Sequence, residues 1–138
     1  MKRREAREIA FCLTFEKDFR SELSCKEIYN TALTYFDADA IESEPYIYST
    51  FSGVFEHIED IDSLISDASA NWEKERISRV SRAILRLAVY EIKYVPDIPV
   101  KIAVNEAVEI AKKYDDDKAY SFVNGVLAKV AVTVGADE

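Results

Sequence analysis

Three glycines and three prolines in 138 residues leave little material for hairpins or long structured loops. No apolar run approaches the ~20 residues a membrane-spanning helix needs. The opening MKRREARE carries charge where a signal peptide would carry its apolar core. Two cysteines, Cys12 and Cys25, suit buried, reduced thiols, and a cytoplasmic location is the expectation. They lie 13 positions apart with no clustered histidine, so they do not read as a zinc site. The single histidine, His57, follows Val54 by three, so the Glu-x-x-His pattern of di-iron bundles is missing. Its expected place is an exposed or half-buried surface. Gly-rich phosphate loops, G-x-S-x-G and Cys-His pairs at known spacings are also missing. These gaps point to a protein without catalytic residues, metal or cofactor.

What is there is apolar and charged in helical rhythm. Apolar residues make up 49% and charged residues 32%, which fits one globular domain over residues 1–138. Ala6, Ile9, Ala10 and Leu13 form one stripe between Arg3 and about Phe19. Ser24 and Glu27 make a capping box for a second helix burying Ile28, Ala32, Leu33 and Phe36. Pro45 suits the first turn of a third, running to about Asp60 with Ile47, Phe51, Val54, Phe55 and Ile58 inward. A shorter helix opens at Asp62 or Ser63 and ends near Trp72. A long fifth covers about Glu75 to Val95, a sixth Val100 to Tyr114 after the breaker PDIP, and a seventh about Ala119 to Val134. The Asp115-Asp116-Asp117 triplet reads as a solvated turn capping that last helix; a divalent-cation site is the alternative. Seven helices and no strand pattern predict an all-α bundle.

The last helix contains Asn124-Gly125, a hairpin dipeptide between flanks that keep helical spacing. Gly inside a helix costs about 1 kcal/mol against Ala. Gly125 is therefore expected at a tight crossing with a neighbouring helix, where Gly125→Leu would clash.

The net charge of −8 argues against nucleic-acid binding by bulk electrostatics. The positive charge is nevertheless segregated. Lys2, Arg3, Arg4 and Arg7 crowd the N-terminus against one acid, Glu5, and Arg3 and Arg7 share a helix face from which they are expected to project. Such a cluster either grips phosphates or is an ordinary charged terminus. A second series, Arg76, Arg79, Arg82 and Arg86, covers about a third of one helix circumference. It reads first as a solvated face paired with Glu73, Glu75 and neighbouring helices, and otherwise as a contact surface for an acidic or phosphate-bearing partner.

Three segments in order resemble the NusB family of bacterial transcription antitermination factors. They are RREAREIAFCLTFE, the long SRAILRLAVYEIKYVPDIPVKIAVNEAVEIAKKY, and the closing FVNGVLAKVA. The resemblance implies a seven-helix fold of two small bundles, helices 1–3 over about 3–60 and helices 4–7 over about 62–134. It implies binding of boxA RNA from ribosomal RNA leaders together with NusE, a small-subunit ribosomal protein, within an RNA polymerase antitermination complex. Some members form homodimers that mask the RNA surface. By position, Lys2, Arg3, Arg4 and Arg7 would grip RNA, with Tyr120, Ser121 and Phe122 as a second edge. Phe15, Ser81 and Arg82 would meet NusE.

The sequence departs from the family pattern at several points. Glu5 interrupts the basic run, Ser121 and Ala128 replace a lysine and an aspartate of relatives, and the turn DDDK is acidic. Weaker, more salt-sensitive RNA binding by this protein alone, and heavier reliance on the partner, is the expectation. The alternatives are a helical module like the one preceding the catalytic domain of ribosomal RNA cytosine methyltransferases, and a protein-interaction adaptor that binds no RNA. The first would require a second polypeptide, since no α/β cofactor unit follows Glu138.

Overall fold

The computed structural model describes residues 1–72 and 77–136, and among them are eight α-helices and no strand. They are α1 (Arg3–Phe19), α2 (Cys25–Ala32), α3 (Ala38–Glu42), α4 (Pro45–Glu56), α5 (Ile58–Ala68), α6 (Arg79–Tyr94), α7 (Val100–Tyr114) and α8 (Ala119–Thr133). The Ser24–Glu27 capping box forms, each residue's backbone N–H donating to the other's side chain at 2.9 and 3.1 Å. Pro45 takes the first turn of α4. At the far end of the chain, Asp116 caps α8 by accepting from the Lys118 and Ala119 amides at 2.9 and 3.0 Å.

Several boundaries differ from expectation: α2 ends at Ala32, short of Leu33 and Phe36, and the helix expected from Asp62 or Ser63 to about Trp72 runs from Ile58 to Ala68. The third helix does not run to Asp60: the chain turns at His57 (φ −118°, ψ 25°), which closes α4 and opens α5. The His57 ring is stacked on Tyr94 of α6, with centroids 4.0 Å apart and planes 15° from parallel. Apolar spacing continues through the turn from Val54 to Ile58 and Ile61, which is why periodicity alone joins the two helices. The short α3 was also not expected; Asp37 caps it by accepting from the Ala40 amide at 3.3 Å. On the fifth expected helix, α6 begins at Arg79 with Ser78 as N-cap, and residues 73–76, including Arg76, lie outside the described residues.

Two apolar clusters meet along α1. Ala6 and Leu13 join Ile28, Ala32, Ile41, Ile47 and Phe51 of α2, α3 and α4. Ala10 and Phe11, on the other flank, join Val54 and the interior of α5 to α8. The α6 helix is buried on most of its circumference, from Ala83 through Ile92, and is the central strut of the second cluster.

Among the described residues Gly125 does not mark a helix crossing. It lies on the exposed side of α8, and a Cβ there would sit 3.3 Å from Cζ2 of Trp72. The close crossing falls at Gly53 of α4, where an added Cβ would overlap the Tyr90 ring of α6, at 2.6 Å from Cε1. A side chain at that position would require the outer end of the Tyr90 ring to shift.

Candidate nucleic-acid interface

The first turn of α1 presents its basic residues in three different states. Arg3 is exposed, its guanidinium 4.3 Å above the Tyr46 ring and 3.8 Å from Glu44. Arg4 is 64% exposed and donates from Nε and Nη2 to the two oxygens of Glu106 at 3.1 and 2.7 Å. Lys2 is exposed at the N-cap.

Arg7 is different, and its expected outward projection is corrected. Its side chain is 5% exposed and donates from Nε to both oxygens of Glu91, itself 1% exposed, at 3.1 and 3.3 Å. The Tyr46 hydroxyl donates to the same carboxylate. A carboxylate buried on α6 needs a cation, and Arg7 is the one α1 delivers. Burial works to lower the Arg7 guanidinium, but Glu91 and the other anions around it outweigh burial and raise it. Burial first, then the Glu91 charge, pushes the Tyr46 phenol well above its ordinary value, so it stays a donor.

The second expected edge divides in the same way. Tyr120 is 41% exposed and Ser121 faces outward, whereas Phe122 is 1% exposed and packs edge-on against Trp72 with centroids 5.0 Å apart. Phe122 belongs to the apolar face it shares with Val126 and Val130, so its expected RNA-facing role is corrected.

Between the two edges lie residues that the sequence reading passed over. Lys113 donates to both Glu8 oxygens at 2.9 and 3.2 Å, and the Tyr114 hydroxyl donates to one of them at 2.8 Å. The Lys112 ammonium sits 5.3 Å from the centroid of Tyr120. A depression of about 270 Å³ runs from Arg4 past Glu106 and Glu8 to Lys112 and Lys113. A neighbouring one of about 330 Å³ is walled by Arg3, Arg4 and Arg7 and by Ile98, Pro99 and Ile102. Arg3, Arg4, Lys113, Lys112 and Tyr120 thus form one strip. In the sequence, Lys112-Lys113 reads only as ordinary cations at a helix C-terminus, since nothing local places them beside α1.

Of the residues expected at the partner surface, Phe15 is half-buried in a row of aromatics, 6.3 Å from Phe11 and 4.9 Å from Phe19 between centroids. Arg79 lies 4.4 Å over the exposed Phe19 ring. Arg82 is partly exposed, and with Arg79 and Arg86 it converges on Asp18 at 3.3–3.4 Å. Arg86 also forks onto Asp62, each contact 2.9 Å. The arginine series is thus paired with Asp18 and Asp62; Glu73 and Glu75 lie outside the described residues. Ser81 is corrected: it is buried, donating to Asp115 at 2.7 Å, where Ser78 also donates at 3.0 Å. That contact ties the turn before α8 to the start of α6. Both cysteines are free and half-buried, and burial pushes their thiols up.

The described residues form an all-helical protein with a strip of paired cations bordered by Tyr120 on one side and an arginine–phenylalanine patch on another. Comparison with known proteins assigns its family. The NusB family model matches residues 4–132. The transcription antitermination protein NusB of Bacillus subtilis is 45% identical over 130 residues, 94% of this chain and 95% of the relative. That of Agathobacter rectalis is 45% identical over 134 residues, 95% of this chain and all of the relative. Among solved structures, NusB of T. maritima aligns with a TM-score of 0.81 at 34% identity, covering 96% of this chain and 92% of that one. The structure of antitermination factors NusB and NusE in complex with double-stranded RNA aligns with a TM-score of 0.77 at 30% identity, covering 96% and 99%. The chain belongs to the NusB family.

Proposed function

We propose that this protein is a non-catalytic transcription antitermination factor that binds boxA RNA of ribosomal RNA leaders together with NusE, in the cytoplasm and as part of an RNA polymerase antitermination complex. The observation that carries the RNA half is the strip itself. Arg3 and Arg4 stand on the same side as Lys112, Lys113 and Tyr120, so a single-stranded RNA is offered phosphate contacts and a ring for stacking together. The RNA-contacting set is accordingly Lys2, Arg3, Arg4, Lys112, Lys113, Tyr120 and Ser121. Arg7 supports it from inside. The NusE half is supported by Phe15, the exposed Phe19 and the partly exposed Arg82, a surface suited to an apolar partner with acidic groups. Homodimerisation that covers the strip would oppose RNA binding.

Filter binding of boxA RNA with and without NusE tests this reading, using Arg3→Ala/Arg4→Ala in parallel. The expected outcome is tighter binding with NusE and loss of most RNA binding in the double variant, which stays folded with its thermal midpoint lowered by only a few degrees. Equal affinity with and without NusE would refute the reliance on the partner. Absence of RNA binding even with NusE would favour the adaptor reading.

A further inference from the structure

The cations at the middle of the strip are already engaged. Arg4 holds both Glu106 oxygens in fork-to-fork geometry at 3.1 and 2.7 Å, and Lys113 holds both oxygens of Glu8 at 2.9 and 3.2 Å. A phosphate presents the same pair of oxygens to a guanidinium as a carboxylate does. RNA and Glu106 therefore ask for the same N–H donors, and Arg4 cannot serve both in this geometry.

We propose that Glu106, seconded by Glu8, is an autoinhibitory residue that competes with RNA phosphates for Arg4 and Lys113. In the free protein the strip is self-paired, and RNA binding is an exchange of partners. This inference rests on the RNA-binding reading above. Two further observations make the exchange feasible. Arg4 is mostly exposed, so its guanidinium can swing outward without disturbing the core. Glu106 also lies 3.7 Å from Nη1 of the buried Arg7, so it keeps a counter-charge when Arg4 leaves. A generic polyanion gains from Arg4 little more than Glu106 already supplies. Lys112 is paired as well, 3.7 Å from Glu109, so what an RNA strand adds beyond exchanged ion pairs is stacking on the exposed Tyr120 ring. The Arg4 hydrogen bond holds the Glu106 carboxyl below the usual carboxylate range, so the competitor stays charged at neutral and mildly acidic pH.

The test is boxA RNA affinity of the full chain with NusE present. Glu106→Gln is expected to bind about threefold to tenfold tighter than wild type, the scale of one such ion pair. Asp67→Asn, which removes one charge from an exposed site on α5, is expected to change affinity less than about twofold. In the Arg4→Ala background Glu106→Gln is expected to give no gain, a result that a pure net-charge effect would not produce. An affinity for Glu106→Gln equal to that of Asp67→Asn, or weaker than wild type, would overturn the proposal; the weaker result would make Glu106 a positioning residue for Arg4. Glu8→Gln is expected to tighten binding through Lys113, and it decides the matter should Glu106→Gln fail to fold. Failure of the underlying reading looks different: Arg3→Ala/Arg4→Ala would then bind RNA as wild type does.

Discussion

Arg3, Arg4 and Arg7 lie within little more than one turn of α1, yet they meet three environments: an aromatic ring, a surface carboxylate and a buried carboxylate. Their order in the chain shows only that they are close. What separates them is Glu91, 84 positions from Arg7, and no local pattern announces a pair at that distance. Arg7→Ala would leave Glu91 and Tyr46 facing a void, and the expected cost is about 3–5 kcal/mol of stability, read by urea denaturation. Arg3→Ala, at the exposed end, is expected to cost less than about 1 kcal/mol. Comparable losses at the two positions would contradict the division drawn between them.

Acid gives a second residue-scale test. Both Glu106 and Glu8 sit below the ordinary carboxylate range: Glu106 chiefly through Arg4, whereas for Glu8 burial pulls upward and the hydrogen bonds from Lys113 and Tyr114, with the nearby positive charge, together outweigh it. A carboxyl lowered by folding contributes stability that is complete above its unfolded value of about 4.3 and is lost as pH falls through the folded value. Wild type is therefore expected to exceed Glu8→Gln/Glu106→Gln in stability at pH 7, with the gap closing as pH falls below about 4. Urea midpoints across that range check the sign; a gap independent of pH would count against it.

At the scale of elements, the helices with a breaker on one side and a polar turn on the other were fully legible. The PDIP breaker and the DDDK turn bound α7, and its expected and observed ends coincide at Val100 and Tyr114. The break at His57, whose ring stacks on Tyr94 of a distant helix, was not legible because the apolar spacing runs on through it. The glycines teach the same lesson. Gly125 drew attention because Asn-Gly is a turn signal, but among the described residues it meets the Trp72 ring; Gly53, with no motif around it, is where α4 meets Tyr90 of α6. Gly53→Ala is expected to destabilise by about 1–3 kcal/mol despite its better helix propensity, because the ring must move. In a Tyr90→Ala background the same substitution is expected to be neutral or stabilising. Gly125→Ala, facing one atom of Trp72 at 3.3 Å, is expected to fall between neutral and a gain of about 1 kcal/mol. Thermal or urea unfolding of the four variants reads each sign.

For the whole molecule, fold class and family were legible because long segments carry them, whereas the candidate strip was legible only at its ends. The sequence named Arg3, Arg4, Tyr120 and Ser121 from two distant stretches, but the lysines joining them, Lys112 and Lys113, become neighbours of α1 only when α7 packs into the bundle. Burial likewise removed Arg7, Ser81 and Phe122, each assigned outward by position and each claimed by the interior. Each cation of the strip stands beside a carboxylate: Arg3 by Glu44, Arg4 by Glu106, Lys112 by Glu109 and Lys113 by Glu8. The most direct measurement is ultraviolet crosslinking of boxA RNA to the complex of this protein with NusE, followed by peptide mapping. Crosslinks are expected in residues 2–8 and 110–121. Crosslinks confined to the outer faces of α2 and α4, with neither of those segments labelled, would contradict the strip as the RNA-binding surface.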